Sequence, residues 1–294
     1  MMDEQNMPAS ALVSVRGLAK HFPSGSGRLR KPRAPVLRVL SDINIDIIEG
    51  ETLGLVGESG SGKTTLGRCI IGIHRVDAGA ILYRGRNGSI IDVCSMDDAR
   101  LRAMQRDVRM IFQDPFSSLN PRMRVMDIIG DALRVNGIAR GTELEDRVAE
   151  MVRRVGLSPD KMRRYPHAFS GGERQRINIA RALILEPRLV IADEAVSALD
   201  VSIRAQVLEL LKQLQAELKL TYLFISHDLS VVEDICDRVA VMSQGDIVEL
   251  ADTDVMYRHP QHEYTRTLLR AVPIPDPRLR RLVRQQTSPD TTQE

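Results

Sequence analysis

Two groups of residues stand out because their types and spacing could do chemistry. The first is Gly57-Glu58-Ser59-Gly60-Ser61-Gly62-Lys63-Thr64, a GxxxxGK[ST] pattern set between the apolar run 53–56 and a helical pattern that begins near Thr64. Glycine reaches backbone conformations closed to residues with a Cβ. Gly57, Gly60 and Gly62 therefore let successive N–H groups turn inward toward phosphate oxygens. The helix N-terminus adds partial positive charge. Lys63 supplies a point charge for β- and γ-phosphates, and the Thr64 hydroxyl is sized to ligate Mg²⁺; Thr65 is grouped with the binding residues. Chance yields such a pattern in roughly one chain in a hundred of this length. The second group is Asp193-Glu194, which ends the apolar run 189–192. In an open α/β sheet the ligand lies at the carboxyl ends of the strands. There Asp193 suits a Mg²⁺ shell, and Glu194 suits positioning and deprotonating an attacking water.

Elements must hold these residues in place. Runs 43–48 and 53–56 read as strands around the turn Glu49-Gly50-Glu51, and run 12–15 reads as an earlier strand. Short apolar strands at 189–192, 222–225 and 239–242 alternate with helical patterns. The clearest helix carries Val207, Leu210, Leu211, Leu214 and Leu218 on one stripe. That alternation implies a parallel sheet buried on both faces. Residues 115–169 look helical and polar, with turns at Asn136-Gly137 and Ser158-Pro159. Residues 23–35 read as an exposed loop with a basic run at Arg28, Arg30, Lys31 and Arg33, and the last ten residues read as disordered.

Composition excludes several classes. Of 294 residues, 41 are Lys or Arg and 39 Asp or Glu, a net charge of +2; 43% are hydrophobic and only 3% aromatic, with no Trp. Ordinary apolar content with small net charge argues against disorder. No apolar run reaches the length of a membrane span. Little excess positive charge and few rings argue against nucleic acid as a partner. Cys69, Cys94 and Cys236 are few and far apart, which points to a reducing compartment. The polar start, with Asp3 and Glu4, does not read as a signal peptide. A soluble cytosolic protein is expected. His259 and His262 read as surface residues rather than metal ligands, with Pro260 between them and no cysteine near.

With these residues in view, the chain resembles an ABC-transporter ATPase over nearly its whole length. Phe169-Ser170-Gly171-Gly172-Glu173 is similar to the family's signature motif, usually LSGGQ. Gln113 sits in Ile111-Phe-Gln-Asp-Pro115 like the Q-loop, Ser197-Ala198-Leu199-Asp200 resembles the D-loop, and His227 in Ser226-His-Asp228 resembles the switch histidine. Phe22 is the best candidate for the ring stacked on adenine. The resemblance implies an α/β P-loop NTPase fold: a RecA-like parallel-sheet core, an antiparallel β subdomain and an inserted helical subdomain. It places the ATP-binding core at 1–114 and 171–251, the helical subdomain at 115–170 and a C-terminal extension at 252–294. By the same resemblance, Gln113 senses γ-phosphate and Mg²⁺, and His227 contacts the γ-phosphate and orients the water. ATP and Mg²⁺ are the implied cofactors. Read physically, Ser170 and Glu173 form S-x-x-E ahead of a helix, a capping box that Glu or Gln completes equally well. Gly171 and Gly172 leave helix amides open to a phosphate, which in the family belongs to ATP on a second subunit. Glu173 adds negative charge at that point.

Two stretches narrow the branch. Residues 112–122 resemble the Q-loop region of dipeptide and oligopeptide importers. Residues 259–273 resemble that branch's C-terminal extension, with Tyr264, Leu268 and Leu269 on one apolar helical face. No cysteine follows Cys236, so no iron–sulfur site of the kind some members carry is expected. The resemblance implies a peripheral ATPase on the cytoplasmic face of a bacterial inner membrane. Its implied partners are a second ATPase subunit, two membrane-spanning permeases that dock on 115–169, and an extracytoplasmic solute-binding protein that delivers substrate. The alternatives are a soluble ATPase of this type acting on ribosomes or DNA, and a degenerate subunit that holds ATP without cleaving it.

Overall fold

Short β-branched and aliphatic runs and longer amphipathic stretches alternate along the chain, and the computed structural model, which describes residues 7–23, 36–114 and 118–271, turns them into two sheets and nine helices among those residues. In chain order, β1 (Ala11–Pro23), β2 (Val36–Ile48) and β3 (Thr52–Val56) precede α1 (Lys63–Ile70). Then come β4 (Ala78–Arg84), β5 (Ile90–Asp92), α2 (Asp98–Asp107), β6 (Val108–Ile111), α3 (Val125–Val135), α4 (Gly141–Arg154) and α5 (Gly171–Leu183). The series β7 (Leu189–Asp193), α6 (Val201–Leu218), β8 (Thr221–Ile225), α7 (Leu229–Ile235), β9 (Arg238–Ser243) and β10 (Asp246–Asp252) follows, and α8 (Thr253–Arg258) and α9 (Glu263–Arg270) come last.

The four-stranded sheet runs β2-β1-β4-β5, antiparallel throughout. The six-stranded sheet runs β10-β9-β3-β8-β7-β6; all its pairs are parallel except β10-β9. The side-chain period of two divides its faces between two cores. Leu189, Ile191, Leu223 and Ile225 face the cluster shared with α1 and the antiparallel sheet. Val190, Ala192, Tyr222 and Phe224 face the cluster that holds α3 to α7. Burial on both faces explains why these strands read as continuous apolar runs, and each fully buried aliphatic side chain contributes about 1.5–3 kcal/mol of transfer free energy.

The expected turn between runs 43–48 and 53–56 is present, but the strands do not pair with each other. β2 belongs to the antiparallel sheet and β3 to the parallel one, so the chain crosses from one layer to the other at Glu49–Glu51. The expected strand 12–15 continues to Pro23, which puts Phe22 inside β1, paired with Leu37. Strands β4 and β5 had no clear alternation in the sequence; β4 is held by pairing with β1. The helical character of 115–169 is matched by α3 and α4. Among the described residues no helix is long and apolar enough to cross a membrane. The basic run 28–33, residues 115–117 and the tail 285–294 lie outside the described residues.

Candidate functional site

The loop 57–64 leaves the end of β3, a strand buried along its length between β8 and β9. Its entry requires glycine: Gly57 has φ +146°, and a Cβ there would lie 2.0 Å from the Met242 carbonyl oxygen. Glu58, Ser59 and Gly60 are exposed, whereas Ser61, Gly62 and Lys63 turn inward and are buried; Thr64 and Thr65 open α1 half-buried. Lys63 Nζ donates to Gly57 O at 2.7 Å and Glu58 O at 2.8 Å, and lies 3.4 Å from Ser61 Oγ. Burial lowers the Lys63 pKa, while the charges of Glu194, Asp193 and Glu58 pull it back up. Lys63 is therefore a buried cation whose charge is supported by neighbouring acids and by the carbonyls it donates to.

β7 carries the acids to the same edge. Asp193, 2% exposed, ends β7 in register with Ile225. Thr64 Oγ1 donates to Asp193 Oδ1 at 2.8 Å. Burial raises the Asp193 pKa, offset by the Thr64 bond and the charges of Arg68 and Lys63. Consecutive strand residues point to opposite faces, and Glu194 escapes that alternation by adopting φ +48°. A non-glycine residue there costs on the order of 1 kcal/mol or more. Three bonds hold its backbone: Glu194 N donates to Ile225 O at 2.9 Å, and Ser197 N and Oγ donate to Glu194 O at 3.2 and 2.9 Å. Its carboxylate then lies between two side chains. Gln113 Nε2, just beyond β6, donates to Oε2 at 3.2 Å, and His227 Nδ1, between β8 and α7, lies 2.9 Å from Oε1. One pocket of about 400 Å³ is lined by Thr64, Gln113 and Asp193 together with Arg68 and Arg181. A neighbouring pocket of about 390 Å³ is lined by Gln113, Glu194, Ser197 and His227. Gln113 and Asp114 line both.

The oxygens of Thr64, Asp193 and Gln113 form a sparse hard-donor set, which suits a small cation that keeps several water and phosphate ligands. That donor chemistry fits Mg²⁺; among the described residues no cluster of three His, Cys, Asp or Glu side chains competes for a metal.

The signature segment is built differently. Ser170 is the N-cap of α5: Glu173 N donates to Ser170 Oγ at 3.3 Å, and Ser170 N donates to Glu173 Oε2 at 3.0 Å, so the capping box read in the sequence is complete. Lys161, twelve residues earlier in a 3₁₀ turn at Pro159–Arg163, donates to Glu173 Oε1 at 2.6 Å. That bond, with the Ser170 amide, holds the Glu173 carboxyl below its ordinary value. Lys161 is the residue that sequence reasoning missed; nothing in its spacing pointed to Glu173. Gly172 also has a packing role, because a Cβ there would lie 2.5 Å from Ile203 Cγ2 on α6. Asp200 is the exposed N-cap residue of α6. Among the described residues no hydrogen bond or ion pair joins 170–173 to loop 57–64. Phe22 sits near the end of β1 with an edge contact to the His74 ring, centroids 5.4 Å apart, and with Lys20 Nζ 5.1 Å from its own centroid.

Known proteins resemble this chain in sequence and in fold. The ABC transporter family model matches residues 40–197, and the model for the oligopeptide/dipeptide transporter C-terminal region matches 248–294. The oligopeptide transport ATP-binding protein of Bacillus subtilis is 48% identical over 284 residues, covering 96% of this chain and 89% of that protein. The dipeptide transport ATP-binding protein of Lactococcus lactis subsp. cremoris is 50% identical over 269 residues, covering 90% of this chain and 82% of that one. Among solved structures, the dimeric ATP-binding cassette MJ0796 in a post-hydrolysis state bound to ADP and Pi matches with a TM-score of 0.70 at 26% identity, covering 82% of this chain and 98% of that one.

Proposed function

This chain belongs to the ABC transporter family and is an ATPase, and we propose that it is the motor subunit of an importer for peptides or closely related solutes. The observation that carries the catalytic part is the Glu194 carboxylate held between Gln113 at 3.2 Å and His227 at 2.9 Å, beside a buried Lys63. The peptide branch is supported by the match of residues 248–294 and by the relatives' names.

The residues divide the work as follows. Amides of loop 57–64 and Lys63 bind the β- and γ-phosphates, and Phe22 stacks on adenine. Thr64, Asp193 and Gln113 hold Mg²⁺, which supplies charge neutralisation at the phosphates. Glu194 accepts a proton from the attacking water as its oxygen bonds to the γ-phosphorus. The bond to the β-phosphate oxygen breaks, and ADP and phosphate leave. Gln113 and His227 fix the rotamer of Glu194, so the base does not have to be ordered at the moment of reaction. Ser170–Glu173 and Asp200 act on the ATP of a second ATPase subunit. The core is 1–114 and 171–251, the helical unit 115–170 docks two permeases, and 252–294 is the extension. The protein works at the cytoplasmic face of the membrane, with spans supplied by other chains and substrate delivered by a solute-binding protein. Glu194 and His227 are both present and in contact, which sets the binding-only alternative aside.

Glu194→Gln tests the base: it keeps the shape and the Gln113 contact but cannot take a proton. Turnover is expected to fall about 10²- to 10⁴-fold, with ATP binding retained and a dimer trapped on ATP. A variant that hydrolyses ATP at the parent rate sinks the assignment.

A further inference from the structure

The C-terminal helices are bonded to the core at several points. Thr253 Oγ1 donates to Cys236 O at 2.6 Å, and Tyr257 Oη donates to Leu229 O at 2.5 Å. The N–H groups of Gln261 and His262 both donate to the Glu249 carboxylate, at 2.8 and 2.9 Å, and so anchor the start of α9 to β10. Tyr264, Leu268 and Leu269 pack against the larger core cluster. This docking brings the Tyr264 hydroxyl to the phosphate loop, where it accepts the Glu58 N–H at 3.1 Å across 206 residues of sequence.

The Glu58 N–H shares its peptide plane with the Gly57 carbonyl, and that carbonyl accepts from Lys63 Nζ at 2.7 Å. A peptide unit is planar, so one rigid plate is held at one edge by Tyr264 and at the other by Lys63. Bonds at both ends of an amide polarise it and strengthen each other. The plate needs such holding, because Gly57 sits at φ +146°, in a region where glycine has no side chain to restrict it. Rotation of the plate would turn the carbonyl away from the lysine that meets phosphate.

We propose that Tyr264 is a positioning residue for ATP binding, acting through the Gly57–Glu58 peptide on Lys63, so that the docked helix α9 of this chain tunes its nucleotide affinity. This rests on residues 57–64 being the phosphate loop. Tyr264→Phe keeps the ring and its packing and removes only the hydroxyl. In the full chain it is expected to weaken ATP binding, and to raise KM for ATP, about five-fold with kcat little changed, the scale of one hydrogen bond. Tyr257→Phe removes a comparable hydroxyl from the same docked region away from the loop, and its ATP affinity is expected to stay within about two-fold of the parent. In a Lys63→Ala background the Tyr264→Phe effect is expected to vanish. Glu249→Gln, which weakens the α9 anchor, is expected to raise KM in the same direction, and thermal melting of each variant reports its folding. Parent affinity in Tyr264→Phe, equal weakening in Tyr257→Phe, a full effect in the Lys63→Ala background, or a parent KM in Glu249→Gln each counts against the proposal. If Lys63→Ala binds ATP like the parent, the phosphate-loop reading itself fails. If Lys63→Ala binds weakly while Tyr264→Phe binds normally, only the tyrosine inference fails.

Discussion

Two helix N-termini in this molecule carry glycines and face the prospect of a phosphate, yet they are built on opposite plans. At α1 the N-cap is Gly62 in the left-handed region, with no side-chain bond to the helix amides and a lysine as the next residue. At α5 the N-cap is Ser170, its hydroxyl already takes an amide, and the acid at the third position closes the box from the other side. Orphan amides at a helix start are satisfied by side chains, water or ligand. The first terminus leaves them for ligand and adds positive charge. The second satisfies part of its demand internally and adds a carboxylate, which Lys161 offsets at 2.6 Å. The open terminus is suited to hold a polyphosphate within one chain, while the capped one is suited to a weaker contact made when two subunits meet.

Substitutions can break this contrast. Lys63→Ala removes the charge from the open terminus. Equilibrium ATP titration is expected to show affinity lower by about 10- to 100-fold, the scale of a charge-assisted hydrogen bond lost from a buried site. Gly172→Ala attacks the capped terminus through packing. Its Cβ would lie 2.5 Å from Ile203 Cγ2, and overpacking of this kind costs about 1–3 kcal/mol, measurable as a drop in denaturation midpoint. The same change one residue earlier in this capped terminus, at Gly171, where a Cβ meets nothing within 4 Å, is expected to cost much less; equal losses would contradict the packing role of Gly172.

The smallest effect sharpens the comparison most. Lys161→Ala leaves Glu173 uncompensated and is expected to lower ATP-dependent dimer formation and turnover a few-fold. Stability is expected to change by only about 0.2–1 kcal/mol, because the pair is partly exposed. In a Glu173→Gln background the lysine has no charge to offset, so its removal is expected to be nearly silent; a full-sized effect there would assign Lys161 some other task. The pH dependence has a defined sign. The Glu173 carboxyl is held below its ordinary value of 4.5, chiefly by Lys161, so its stabilisation is present above that value and is lost as pH falls through the lowered one. The melting difference between parent and Lys161→Ala is therefore expected to close in acid.

Much of the site was legible because its chemistry is local in sequence. Residues 57–64 form one loop, and Asp193 and Glu194 are neighbours at a strand end, so residue type and flanking pattern were enough. The same holds for the capping box, whose two partners are three residues apart. Three things were not legible. Glu194 and Gln113 are 81 residues apart, and their contact required the order β3-β8-β7-β6 to bring both strand ends to one edge. Lys161 meets Glu173 through a 3₁₀ turn that has no periodic signature. Strand β1 extends to Pro23, past the run 12–15, because β2 pairs with it along its length through several bulges, and bulges break the alternation by which a strand is recognised.

The sequence by itself determined what could bind and cut: a glycine-rich loop with its lysine, a pair of acids at a strand end, a capped helix start, and strands apolar enough to be buried on both faces. These are properties of single segments, decided by backbone freedom, charge and hydrophobic period. Only the tertiary structure decided which segments share a site. It placed Glu194 between Gln113 and His227, gave Glu173 a cation, and brought Tyr264 of α9 to the first peptide of the phosphate loop. Those contacts depend on sheet order and helix docking, and the free energy that fixes them is spread over two cores rather than held by the residues that touch.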